Sequence, residues 1–349
     1  MEQSSKRAIG TFAGMVLVVI FSLLAASGDS TLGALAADGT LTPWAYLPFI
    51  SRHGPAATPD PSTSWYGVVR APPGDWSTLR ENLGGVILDL AVQPSTPLDD
   101  IIASLDLAQA LGYHVIFHIY NGDTDTNLPW YLDSSGQWVF PQSAIDILQG
   151  VSDHPAMFAV YALHEPLDGG VTYVGVEQQQ ALYDLLKLHT GGLPVYTDIG
   201  SLSAFEDRGE PLTDGMCDYC ATFPTHFRSD WTSEECLAET LSRIDADLDT
   251  RQRLMPRTEV VFLINTYTTT DYVVPLRLPT PYELDVVRDR LCDLQRPMLY
   301  IPWHHSSYDA TLEDAPELWP VIAEGCDGQS LVTYSLDARC LSMACWPPD

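Results

Sequence analysis

The sequence predicts an α/β protein of the (β/α)8 TIM-barrel class, on three observations. From Trp65 onward, apolar runs of strand length alternate with helical segments eight times. Most of these runs are apolar almost throughout, as expected of strands buried on both faces. Residues 65–349 also suffice for a barrel of about 250 residues with loop insertions. A doubly wound open sheet is the competing fold, but no G-x-G-x-x-G turn follows the first run.

Taken in order, the strands are expected over residues 66–70, 86–90, 114–120, 157–163, 193–197, 216–222, 259–265 and 298–303. The helices between them carry their own punctuation. Thr96 is placed to cap a helix with Pro97 at its first position, Asp99 and Asp100 in its first turn and Gly112 beyond its end. A helix starting near Val174 ends at Gly191-Gly192. Leu237, Leu241, Ile244 and Leu248 recur at helical spacing within residues 232–252. Thr280-Pro281-Tyr282-Glu283 reads as a capping box. Strict alternation of strand and helix implies parallel strands joined by right-handed crossovers.

Ahead of the barrel, Lys6 and Arg7 precede an uncharged apolar run over residues 8–26. The small-residue exits Ala25-Ala26-Ser27 and Ala34-Leu35-Ala36 follow. Residues 1–36 therefore read as a secretory signal, with a retained membrane anchor as the alternative; no stop-transfer charges follow the run. Residues 37–64, rich in Pro, Ser and Thr, read as an extended tether. The expected destination is the medium, the periplasm or the cell surface, with membrane contact only if the signal stays in place.

Net charge is −29, from 46 acidic and 17 basic residues. Such a surface repels phosphate backbones and anionic polysaccharides, which excludes nucleic acid as the expected partner and keeps the protein soluble. Lys6 and Lys187 are the only lysines. Lys187 falls on a helix, so Schiff-base chemistry at a strand end is excluded. Seven cysteines suit an oxidising compartment and leave at least one unpaired. Cys340 and Cys345 are close enough in sequence to pair, and Cys236, Cys292 and Cys326 are candidates for stapling helices. Cys217-x-x-Cys220 resembles half a zinc site with no matching second half; on a strand its side chains would face opposite ways.

Barrel chemistry belongs to the C-terminal strand ends. Those ends are Arg70, Asp89, Tyr120-Asn121, His164-Glu165-Pro166, Asp198, Phe223-Pro224-Thr225-His226, Asn265-Thr266-Tyr267 and Trp303-His304-His305. A carboxyl group leaving a buried strand just before a proline, as Glu165 does, sits partly desolvated where a general acid is needed. The plain alternative is a Glu that hydrogen-bonds a loop. The third loop, 121–142, holds Trp130, Tyr131, Trp138 and Phe140 among polar residues, a composition suited to sugar rings or to packing the loop down.

Ala162-Leu163-His164-Glu165-Pro166 resembles the Asn-Glu-Pro acid/base motif of the large clan of (β/α)8 glycoside hydrolases. The resemblance implies that Glu165 protonates the glycosidic oxygen and later activates water. The chain is also similar to glycosidase-like barrels that pair such a Glu-Pro with an aromatic-Pro at strand six, here Phe223-Pro224, and a Trp at strand eight, here Trp303. Two departures stand out: His164 replaces the Asn, and no Glu ends strand seven. Glu259 lies at the opposite end of that strand. Hydrolysis with two carboxyl groups needs them about 5–5.5 Å apart for retention or 6.5–9.5 Å for inversion. Asp198 is the chosen second carboxylate, with helix capping as its alternative role; Asp89 and Asp218 rank behind it, Asp218 as a mid-strand residue.

The leading expectation is an exported glycoside-hydrolase-like protein acting on a neutral glycan, without a cofactor. Glu165 and Asp198 would be catalytic. Arg70, Tyr120, Asn121, Trp130, His164, Asn265, Tyr267, Trp303 and His304 would bind the sugar, with Tyr272 and Tyr308 extending the platform. A catalytically silent barrel that binds carbohydrate is the second reading, favoured by the missing strand-seven carboxylate. A metal-dependent hydrolase built on His118, Glu165, Asp198, His304 and His305 is the third, although no H-x-H or H-E-x-x-H spacing occurs.

Overall fold

The computed structural model of the chain describes residues 65–120, 128–166, 174–225, 227–270, 275–303 and 308–326. The expected signal and tether lie outside these residues, as do Cys340 and Cys345. Eight parallel strands close into one barrel. They are β1 (Tyr66–Val68), β2 (Ile87–Val92), β3 (His114–Ile119), β4 (Met157–His164), β5 (Val195–Gly200), β6 (Tyr219–Thr222), β7 (Glu259–Asn265) and β8 (Met298–Ile301). Each pairs with its neighbours in sequence, and β1 closes the ring against β8 with Tyr66 opposite Met298.

A helix follows every strand: α1 (Trp76–Asn82), α2 (Leu98–Ala110), α3 (Gln142–Val151), α4 (Val176–His189), α5 (Leu202–Asp207), α6 (Ser233–Leu254), α7 (Pro281–Asp293) and α8 (Trp319–Ala323). The eightfold strand–helix order expected from the sequence is the order observed. Two boundaries move in ways that matter. β5 runs on to Gly200, so Asp198 lies within a strand instead of beyond one. β6 starts only at Tyr219, so Asp218 sits just before its first residue, at the end away from the mouth. There Asp218 pairs with Lys187 (2.7 Å) and accepts from the Val195 N–H and the Tyr183 hydroxyl.

Side chains alternate between the two faces of each strand, so a closed ring has two cores. The inner one has an aromatic floor, with Trp65 and Tyr219 both packed on Phe158 at centroid distances of 5.3 and 4.8 Å. Ile87, Ile116, Val261, Leu263 and Leu299 fill the layer of the barrel interior. The outer core lies between strands and helices and buries Trp76, Leu105, Leu148, Leu186, Ile244 and Leu284. Burial of each such large side chain stabilises the fold by roughly 1.5–3 kcal/mol. Gly67 is required where β1 meets β2, because a Cβ there would collide with the Ile87 carbonyl.

The helix signals hold with one exception. Thr280 Oγ1 accepts from Glu283 N–H (3.2 Å) while Glu283 accepts from Thr280 N–H (2.7 Å). Burial alone would raise the pKa of Glu283, but Arg277 and the Thr280 N–H hold it down at about 2. Thr232 and Glu235 form the same box before α6. Thr96, however, does not cap α2. Its hydroxyl accepts the Gln93 N–H in the preceding turn, and the helix starts at Leu98 after Pro97.

Two disulfides are formed among the described residues. Cys217 pairs with Cys220, because the chain turns before β6 begins and the two side chains do not share a strand. Cys292 of α7 pairs with Cys326 beyond α8, at a sequence separation of 34. Cys236 is buried and free. By the chain-entropy relation a loop of that length restricts the unfolded chain by about 4 kcal/mol. Cys292→Ser is therefore expected to lower the thermal midpoint by several degrees relative to the oxidised wild type, with circular dichroism melting as the check.

Candidate active site

The barrel interior changes from apolar to polar toward the C-terminal strand ends. Two residues beyond the inward-facing Ile87, Ile116, Tyr196 and Leu263 come Asp89, His118, Asp198 and Asn265. Alternation puts all four on the inner face. Tyr161 of β4 joins them, its ring stacked on His118 at 4.3 Å between centroids.

An irregularity in β4 completes the group. Tyr161 lies opposite Tyr196, but the next match is His164 opposite Asp198, three residues on one strand against two on the other. This β-bulge inserts an extra residue and resets which side chains face inward. Ala162 and Leu163 go to the outer core, and His164 turns toward Asp198. The Tyr161 hydroxyl donates to Asp198 Oδ2 (2.7 Å), and His164 Nδ1 lies 3.2 Å from that oxygen and 3.0 Å from the Tyr161 oxygen. The bulged Ala162 carbonyl accepts the indole N–H of Trp130 at 3.2 Å.

Glu165 follows at once with φ +43°, and Arg70 after β1 has φ +62°. Only three non-glycine residues among those described have positive φ, and the third, Gln295, ends α7 at the other face. Strained backbone of this kind persists where surrounding contacts impose it. The Arg70 N–H donates to Asp89 Oδ1 at 2.5 Å, and the Glu165 N–H donates to the Asp198 carbonyl at 2.7 Å. Both strained residues are thus held by the neighbouring strand at the rim.

The charges are coupled. Burial and the Asp198 carboxylate push the Tyr161 and Tyr196 phenols well above 10 against the opposing charge of Arg70, so both stay protonated. Burial by itself would lower the pKa of His164. The hydrogen bond and charge of Asp198, with the charge of Glu165, outweigh burial and Arg70, and the net shift is upward.

The other expected site residues divide. Tyr120 is half-buried, its ring tilted against His118 at 6.1 Å. Asn265 is buried, and its amide donates to the Thr225 carbonyl at 2.8 Å, tying β7 to the loop after β6. Tyr267 is buried and stacks on Tyr308 at 4.1 Å. Trp130 is buried against Phe140 (5.1 Å), and Trp138 donates to the Gln178 carbonyl; of the four rings in the third loop, Tyr131 alone is exposed. Trp303 is not at the mouth. It is buried in the outer core, donating to Asp75 (3.0 Å) and lying 5.5 Å from Trp319, because its strand end is covered by the loop after β1. Asp198 caps no helix either; Ser201 caps α5, its hydroxyl accepting from Ala204. Asn121, His226, Tyr272, His304 and His305 lie outside the described residues. Among the described residues no group of three His, Cys, Asp or Glu side chains is placed to hold a metal ion. Tyr161 and Tyr196 went unnamed in the sequence reading, although both sit on inward positions of their strands.

No protein-family model matches the chain, and no curated protein matches it. Solved structures do. The endoglucanase Cel5A of Pseudomonas stutzeri superposes with a TM-score of 0.50 at 12% identity, over 75% of this chain and 95% of that one. The likeness is to glycoside-hydrolase barrels, and it is one of fold. The catalytic domain of a mannanase from Streptomyces sp. SirexAA-E reaches 0.49 at 11% identity over 87% and 96% of the two chains. A chitinase from Chromobacterium violaceum reaches 0.48 at 10% identity over 76% and 100%.

The raised pKa of His164 has a consequence for stability with a definite sign. A group whose folded pKa exceeds its unfolded value stabilises the fold fully below the unfolded value, near 6.5, and loses that contribution as pH rises through the folded pKa. The stability gap between wild type and His164→Asn, from urea midpoints, is expected to be larger at about pH 5.5 than at about pH 9. A gap that widens with pH would contradict the ion pair.

Proposed function

We propose that this protein is an exported glycoside-hydrolase-like enzyme acting on a neutral glycan, with Glu165 as its general acid/base. The observation that carries the reading is the place of Glu165. It ends β4 in a left-handed turn, held at the rim beside a cluster of Arg70, Asp89, Tyr161, His164 and Asp198. A carboxyl group there meets a substrate entering the mouth, where barrel enzymes do their chemistry. The strongly acidic composition favours an uncharged polysaccharide over an anionic one. Two disulfides support an oxidising destination, in line with the reading of residues 1–36 as a secretory signal.

A second reading has its own observation. β7 ends in Asn265, whose amide is committed to Thr225, and the second carboxylate, Asp198, is buried against Tyr161 and His164. A barrel whose strand-seven end carries no carboxylate and whose Asp198 is buried is suited to holding a glycan without cleaving it.

Release of reducing ends from a panel of neutral β-glucans, mannans and chitin oligomers separates the two. Wild-type protein is expected to release them, and Glu165→Gln to lose about 10²–10⁴-fold in rate while still binding. Binding without release by wild type, unchanged by Glu165→Gln, would establish the second reading instead.

A further inference from the structure

Asp198 does not present its carboxylate to the mouth. It is 5% exposed, and its Oδ2 serves both Tyr161 and His164. What reaches the mouth from this group is the His164 ring, whose side chain is 20% exposed.

The hydrogen bonds decide which ring nitrogen faces outward with what. A phenol has one hydrogen, and Tyr161 gives it to Asp198 at 2.7 Å. Nδ1 then needs its own hydrogen to face the Asp198 and Tyr161 oxygens at 3.2 and 3.0 Å. Without it, either the buried carboxylate oxygen loses the Tyr161 donor or Nδ1 is left facing two acceptors. Nδ1–H is therefore the form the pocket holds, and Nε2 is the atom left for chemistry. Among the described residues nothing hydrogen-bonds Nε2.

Neighbouring charges agree with this geometry. Burial and Arg70 oppose the imidazolium, but the hydrogen bond and charge of Asp198, with the charge of Glu165, favour it and prevail. The left-handed backbone at Glu165 ends the strand's regular alternation directly after His164.

We propose that His164, its ring held by Asp198 and Tyr161, is the second proton-transfer group of this site and donates the proton that the leaving oxygen takes. The proposal rests on the reading of the barrel as a glycan hydrolase centred on Glu165, and it divides the acid/base work given to Glu165 there: Glu165 is the base and His164 the acid. In one turnover Glu165 takes a proton from water as the water oxygen bonds to the anomeric carbon. The bond from that carbon to the leaving oxygen breaks with its electron pair, and His164 Nε2 protonates that oxygen. Protonated Glu165 and neutral His164 then exchange a proton through solvent, restoring the starting charges. Water is the only co-reactant. Asp198 and Tyr161 are positioning residues in this scheme, because they act through the ring.

The test compares leaving groups. His164→Asn keeps a donor toward Asp198 and removes Nε2. Its rate on the polysaccharide that wild type cleaves is expected to fall about 10²–10⁴-fold, but less than about tenfold on the matching 2,4-dinitrophenyl glycoside, which leaves without a proton. Asp198→Asn is expected to move the basic limb of the wild-type pH profile to lower pH. Equal losses on both substrates, or an unchanged rate on the polysaccharide, overturn the proposal while Glu165→Gln remains inactive. No cleavage of any glycan by wild type overturns the underlying reading instead. Should His164→Asn fail to fold, nitrogen-15 spectra of wild-type histidines report the ring directly. A neutral form carrying hydrogen on Nδ1 and a midpoint above about 6.5 are expected, and hydrogen on Nε2 or a lower midpoint overturns the proposal.

Discussion

The hydrogen-bonded contact of His164 and Tyr161 with Asp198 inside a closed ring of strands is the constraint on which the rest of the site depends. A buried carboxylate is costly unless donors surround it, and here the donors come from the adjacent strand. That is possible because β4 carries one more residue than β5 between its two matches. Remove the bulge and simple alternation sends His164 outward, leaving Asp198 with the Tyr161 and Tyr196 phenols. Ring closure matters equally, since it gives the upper interior its low exposure and makes the Asp198 charge felt by Tyr161, Tyr196 and His164.

Around this contact the chain spends several unusual features on holding the rim. Asp89 receives the Arg70 N–H, and the Asp198 carbonyl receives the Glu165 N–H, so two residues in left-handed conformation are fixed from the next strand. Trp130 bonds the carbonyl that the bulge releases, which joins the third loop to the strand bearing Glu165. Aromatic rings that together suggest a sugar platform are thus mostly supports. Trp303 closes the layer over α8, Trp138 reaches α4, and Tyr267 leans on Tyr308. The exposed ring of the third loop is Tyr131.

The electrostatic design differs from a pair of open carboxylates. Glu165 stands at the rim, Asp89 holds the Arg70 N–H, and Asp198 is sunk beneath a histidine. Asn265, where a carboxylate would complete an ordinary pair, fastens one loop to the next strand. The charge of the His164 ring depends on its carboxylate neighbours, and burial and Arg70 oppose them. The overall negative charge of the chain stands apart from this arrangement and bears on solubility and on which polymers can approach.

The ring of eight strand–helix units was legible in the sequence because buried parallel strands leave continuous apolar runs and helices leave caps at fixed spacing. Thr280 with Glu283, and Gly191 with Gly192, are where local chemistry puts them. The rule that chemistry sits at strand ends also pointed to Glu165, His164 and Asp198 from residue order alone. What the order did not contain was direction. Whether His164 faces in or out turns on a single extra residue in β4, and whether Trp303 meets solvent turns on the loop after β1. Both are decided by contacts between segments far apart in the chain, such as Trp303 with Asp75, which are 228 residues apart. Local propensity determines which elements form; only the closed tertiary structure decides which of their side chains meet.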